Sequence, residues 1–220
     1  MLTVLYLIFN EGYTSTSGTL LRTDLWLEAV RLARALAGLM PHEPEVIGLL
    51  ALLLLTEARR PARVGPSGEL VTLAEQDRSL WDRELIAEGH DLVRRCLRRD
   101  RPGPYQLQAA INAVHTDGPA TDWTQVLAFY DQLLRHTPTP IVALNRAVAV
   151  AEVHGPALAL DTIESLNLPG YHLLPATRAD LLARLGRITE ALAAYDEAIA
   201  LVTNHTERTF LQNRRSRLNP

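Results

Sequence analysis

Four residues recur down the second half of the chain at almost constant spacing, and this recurrence limits the fold more than any other feature. Val126, Tyr130, Leu133 and Pro138 set the pattern, and Ala191, Tyr195, Ala198 and Thr203 repeat it. Between them lie Ala159, Ile163, Leu166 and Tyr171, and Leu92, Cys96, Arg99 and Pro104 extend the phase backward. The starting positions 92, 126, 159 and 191 are 34, 33 and 32 residues apart. A period of this length is one supersecondary unit that cannot bury its apolar face alone, so stacked copies are required.

The spacing resembles the tetratricopeptide (TPR) pattern: a small residue, an aromatic four on, a second small residue three further, and a proline about five beyond. Small residues let the second helix of a hairpin approach the first, the aromatic fills the gap beside them, and proline breaks the chain into the next unit. The expected fold class is therefore all-α: a right-handed α-α superhelix of TPR-like helical hairpins, preceded by a helical N-terminal part. The expected division places the N-terminal part at 1–103 and the repeats, with a polar capping helix over Asn204–Leu218, at 104–220. The two are read as one continuous solenoid.

Composition agrees. The chain of 220 residues is 47% hydrophobic but only 5% aromatic. Leu, Ala and Val dominate, which suits helix-on-helix packing better than strands. Every one of the 22 basic residues is Arg, as expected of a GC-rich genome, and the net charge of −3 is too mild to draw the whole molecule to nucleic acid or anionic lipid. A single cysteine, Cys96, excludes an internal disulfide framework and fits a reducing cytoplasm, the expected location. The longest apolar run, Val46–Leu55, is far below the roughly 20 residues of a membrane span. The opening MLTVLYLIFNEGY lacks the basic n-region of a signal peptide, and its apolar register starts without a lead-in, as in a piece of a longer protein.

Along the first half, Leu2–Asn10 reads as a short helix ended by Gly12 and the loop Thr14–Gly18. Asp24 is expected to cap Leu25–Met40, with Leu25, Ala29, Leu32, Leu36 and Leu39 on one stripe. Pro41 stops that helix, and Pro44 suits the first turn of a buried helix over Glu45–Arg60. Residues 61–74 are the one long irregular stretch, with Gly65, Pro66 and Gly68 suggesting a small turn or hairpin. A long helix is expected over Leu80–Arg99, and no sheet.

Four strings carry a further resemblance: YLIFNEGY (Tyr6–Tyr13), AEQDRSLWDRELIAEG (Ala74–Gly89), GPYQLQAAINAVH (Gly103–His115) and PIVALNRAVAVAEVHGP (Pro140–Pro156). Together they resemble the C-terminal, TPR-containing extension of a class of bacterial extracytoplasmic-function (ECF) RNA polymerase sigma factors of the sigma-70 family. The resemblance spans essentially the whole chain. It implies a cytoplasmic regulatory module for transcription initiation. Its partners would be the sigma domains upstream in a full-length chain, RNA polymerase or a peptide partner, with DNA binding left to those upstream domains. No helix-turn-helix with a basic recognition helix is readable here, so no direct nucleic acid contact is expected from this part, nor any membrane contact. The alternative is a free-standing TPR adaptor that binds a peptide in its concave groove.

The candidate protein-binding residues follow. Asn112 and Asn145 are 33 residues apart at equivalent places on two first helices, where an amide can hydrogen-bond an extended peptide or bridge helices internally. Arg146 and Arg178 can meet an acidic ligand or remain solvated. Gln76, Asp77, Arg78, Trp81 and Asp82 follow the long loop; Trp81 either anchors an interface or packs the loop, with Asp77 capping Ser79–Gly89. Asn10, Glu11 and Tyr13 are expected at a hinge toward the sigma domains. Arg94, Arg95, Arg98, Arg99 and Arg101 form the densest basic run, read as a solvated face. The seven histidines are scattered with no pair at i, i+3 or i+4, so no metal site is expected. No nucleophile, phosphate-loop or dinucleotide motif is present; no catalysis and no cofactor are expected.

Overall fold

The structure, a computed structural model, describes residues 1–13, 23–66, 68–99 and 101–218. The loop expected at Thr14–Gly18, the cap expected at Asp24 and the side chain of Tyr13 lie outside what is described. Among the described residues the chain is all-helical, with eleven α-helices and one isolated antiparallel bridge, Val64 with Leu70. It divides into two compact units, Met1–Asp122 and Trp123–Pro220.

The first unit is built around α3 (Pro44–Glu57). Every residue from Val46 to Leu55 is buried, which is why this stretch is apolar all round. Helices α1 (Leu2–Tyr13), α2 (Thr23–Leu39), α4 (Arg83–Leu97) and α5 (Pro104–Thr116) all pack on it. Two glycines allow close packing of helices on and against α3. A Cβ at Gly48 would stand 2.7 Å from the Gln106 backbone nitrogen, and one at Gly89 would stand 2.6 Å from Leu55 Cγ. Glu45, in the first turn of α3, reaches across to the start of α5 and accepts from the Tyr105 and Gln106 backbone N–H groups at 3.0 and 3.2 Å. A carboxylate from one helix thus caps the next, where Pro104 removes one donor and the macrodipole favours negative charge.

Three expectations are corrected here. Helix α1 runs on through Gly12 to Tyr13, so Asn10 and Glu11 sit in its last turn. On α2 the buried stripe is Trp26, Ala29, Ala33 and Leu36, while Leu39 is 81% exposed. Trp26 and Ala33 occupy the buried positions expected for Leu25 and Leu32, while those two leucines are half-buried. The long helix starts at Arg83, not Leu80. Asp77 caps only a 3-10 turn (Arg78–Leu80), Trp81 is extended, and Asp82 then caps α4 by accepting from the Glu84 and Leu85 N–H groups, both at 3.0 Å.

The second unit is a succession of antiparallel neighbours: α6 (Trp123–His136), α7 (Pro140–His154), α8 (Pro156–Glu164), α9 (Leu173–Arg184), α10 (Ile188–Leu201) and α11 (His205–Ser216), each packed on the next. The small residues at the phase positions are its innermost: Val126, Ala159, Ile163, Ala191 and Ala198 have no exposed surface. Gly186 takes φ 74° to end α9, the left-handed turn that a helix C-terminus favours. The capping helix α11 begins at the Asn204 cap and is tied back by Arg214 to Asp180 of α9 and by Arg215 to Asp196 of α10. Helix α5, grouped with the repeats in the sequence reading, packs within the first unit.

Candidate protein-binding site

The five residues within Gln76–Asp82 that the sequence singles out form a corner between the 61–74 segment and α4. Within that segment the Val71 N–H donates to Arg63 O and the Gly65 N–H to Glu69 O. The chain then crosses to α3, where the Asp82 N–H donates to the Ala58 carbonyl at 2.9 Å. Trp81 is 5% exposed and closes the corner against the fold. Arg78 lies over its ring, 4.7 Å from the centroid, and donates to the Gly118 carbonyl beyond α5 at 2.6 Å. Gln76 donates to the Val71 carbonyl at 3.4 Å. Asp77 accepts from the Ser79 N–H, and hydrogen bonds from the Ser79 hydroxyl and then its N–H hold the Asp77 carboxyl below its ordinary value. The Trp81 indole N–H and Gln76 Oε1 are buried with no hydrogen-bond partner among the described residues, a cost of about 1–3 kcal/mol each.

Beside this corner, the outer face of α4 and the end of α5 enclose an open cleft of about 510 Å³. Arg78, Arg83 and Arg94 line it with Trp81, Ile86, Ala87 and His90, and among the described residues Asp117 is its one carboxylate. His90 Nε2 sits 2.9 Å from Thr116 Oγ1, whose own hydroxyl donates back to the Asn112 or Ala113 carbonyl. Burial holds His90 below its ordinary value and hence neutral near pH 7. Under the same corner, burial with Arg59 and Arg78 nearby pushes His115 down to about 4.

The remaining sequence candidates are distributed elsewhere. Asn112 accepts from Arg59 of the α3 end and donates to the Gln108 carbonyl at 3.0 Å, so its amide bridges helices. Asn145 is exposed on α7, and its neighbour Arg146 pairs with Asp131 of α6 at 2.6 Å. Arg178 of α9 faces Glu197 of α10 at 3.7 Å. Of the basic run, Arg94 pairs with Asp91 and Arg99 donates to the His42 and Pro41 carbonyls, while Arg95 and Arg98 are exposed. Burial pushes the Cys96 thiol up to about 11 beside the Pro44 carbonyl, which makes it a packing residue. Among the described residues no group of three His, Cys, Asp or Glu is placed to hold a metal, and no helix is long and apolar enough to cross a membrane.

Known proteins resemble this chain in sequence or in fold. Residues 1–97 match a family of unknown function, DUF6596. The chain is 45% identical over 216 residues to an uncharacterized protein of Rhizobium meliloti (strain 1021), covering 96% of this chain and 51% of the relative. The chain thus spans about half the length of that relative. Among solved structures it resembles a thermophilic TPR protein of Thermus thermophilus, with a TM-score of 0.61 at 15% identity over 99% of this chain and 98% of that one. The fold is an all-α, TPR-like helical repeat.

The family match ends at Leu97 and so takes in the whole corner and the α4 wall of the cleft, while α5 supplies the opposite wall. Sequence reasoning found Arg78 and Trp81 but missed Arg83 and His90. A pointer was available: with α4 starting at Arg83, positions 83, 86, 87, 90 and 94 fall at i, i+3, i+4, i+7 and i+11, one face of a helix.

Proposed function

We propose that this chain is the regulatory protein-interaction module of an ECF-type sigma factor, modulating transcription initiation by contacting the sigma domains, RNA polymerase or a protein partner, and that it carries out no catalysis. The resemblance in sequence supports this reading, and the fold adds a coarser support, since stacked helical hairpins serve widely as docking surfaces. The observation that carries it is the corner around Trp81. Within the string Ala74–Gly89, Arg78 is held at the mouth of the cleft by the Trp81 ring and the Gly118 carbonyl, a pose that neither the core nor a helix cap uses. The groups lining this cleft (three guanidiniums, a neutral imidazole held by a threonine, one aspartate) offer no nucleophile with an adjacent base and no pair of carboxylates at working distance. They suit recognition.

The test uses the full-length gene product with a reporter under its cognate promoter. Arg78→Ala should change promoter output at least several-fold while helicity and expression stay at the unsubstituted level. Unchanged output with Arg78→Ala and also with Arg83→Ala would remove the corner from the regulatory contact. A reading frame around this chain without sigma domains would favour the free-standing adaptor.

A further inference from the structure

The cleft beside Trp81 has a chemistry of its own, opposite in sign to the molecule that carries it. The chain as a whole is acidic, with net charge −3, yet among the described residues three arginines line this cleft against one carboxylate, Asp117. Arg78 is immobilised by the Trp81 ring and the Gly118 carbonyl. Arg94 is steadied by Asp91 one turn back. Arg83 is exposed and pairs with no carboxylate among the described residues, so its guanidinium is available at the rim. Between the charges the wall is apolar, formed by Trp81, Ile86 and Ala87.

We propose that this cleft binds an acidic polypeptide segment, its carboxylates against Arg78 and Arg83 and an apolar side chain against Ile86 and Ala87. Arginine forks match carboxylates in bidentate geometry, and an adjoining apolar wall rewards a chain that alternates acid and hydrocarbon. Phosphate is the poorer occupant. Such sites recruit free backbone N–H groups at a helix start, but here the Glu84 and Leu85 N–H groups are already taken by Asp82. The proposal rests on the interaction reading above and names the partner's chemistry, whichever protein supplies the segment.

The experiment titrates the whole chain with a fluorescently labelled decapeptide of alternating Glu and Leu, read by anisotropy at low and at 150 mM salt. A Gln/Leu decapeptide, free glutamate and inorganic phosphate are run beside it. The expected result is saturable binding of the Glu/Leu peptide alone, weakened about tenfold or more by Arg83→Glu. The same charge change at exposed Arg98, outside the cleft, should alter it less than about twofold. Equal losses in the two variants would overturn the proposal in favour of diffuse charge attraction. Phosphate or glutamate binding as tightly as the peptide would overturn it in favour of a small anion. No binding of the Glu/Leu peptide would overturn it whatever promoter output does, so its failure is distinct from failure of the regulatory reading.

Discussion

Arg78 and Trp81 form a stacked pair, guanidinium to ring centroid 4.7 Å, closed on the far side by a 2.6 Å hydrogen bond from Arg78 to the Gly118 carbonyl. One side chain thereby fastens the corner before α4 to the turn after α5. Because Trp81 is buried and Arg78 half-buried, the contact is less screened than a surface ion pair. Arg78→Ala should cost about 1–2 kcal/mol in urea unfolding, combining the stacking and hydrogen-bond losses. Arg78→Lys should recover less than half of that, because an ammonium cannot stack and reach the carbonyl in one planar pose.

Glu45 caps α5 from α3, and its removal leaves two backbone N–H groups and the Gln106 side-chain amide short of an acceptor. Glu45→Ala should destabilise by about 1–2 kcal/mol, the range of a lost helix cap. Glu45→Gln should fall between, keeping an acceptor but losing the charge that meets the positive end of α5. Chemical denaturation of the three proteins checks the ranking.

Gly48 stands where α3 and α5 touch backbone to side. On an isolated helix Gly→Ala gains up to about 1 kcal/mol. Here the added methyl would meet the Gln106 nitrogen at 2.7 Å and its Cα at 2.9 Å, so α5 must move. Gly48→Ala should therefore destabilise by about 1–3 kcal/mol, the cost of overpacking, with the sign opposite to its helix propensity. Thermal melting gives the sign directly.

His115 makes stability fall in acid. Its folded value of about 4 lies below the ordinary 6.5, so the unfolded chain binds more protons between those values. Stability is greatest above pH 6.5, declines as pH falls toward 4, and levels off below; the drop is of order 3 kcal/mol. His90 is shifted in the same direction and adds to it. Urea midpoints from about pH 7.5 to 4 should show the slope, and His115→Gln should remove most of it.

Much of this architecture is legible in the residues, and the reasons are physical. Repeated small residues at helix crossings have no other packing solution, so Val126, Ala159 and Ala191 locate α6, α8 and α10. A run such as Val46–Leu55, without a polar face, can only be a central helix. What escaped is tertiary. Nothing local says that Glu45 caps a helix sixty residues away, or that Asn112 accepts from Arg59. The α2 stripe was misplaced by one position because Trp26 and Leu25 are equally apolar, and only the partner surface of α1 and α3 chooses between them. The spacing of Arg83, Ile86 and His90 puts them on one helix face, but only the tertiary fold brings Thr116, Asp117 and Gly118 opposite them to make a cleft.

The central claim is that this chain offers a docking surface to another polypeptide of the transcription apparatus. Its most direct test places a photo-crosslinking amino acid at Arg83 in the full-length gene product and identifies the coupled peptide by mass spectrometry. The account predicts coupling to sigma domains or to an RNA polymerase subunit, through a segment rich in Asp or Glu, and loss of that product with Arg78→Ala. Coupling only to polypeptides outside transcription, or none to any polypeptide while the protein still drives its promoter, would contradict it.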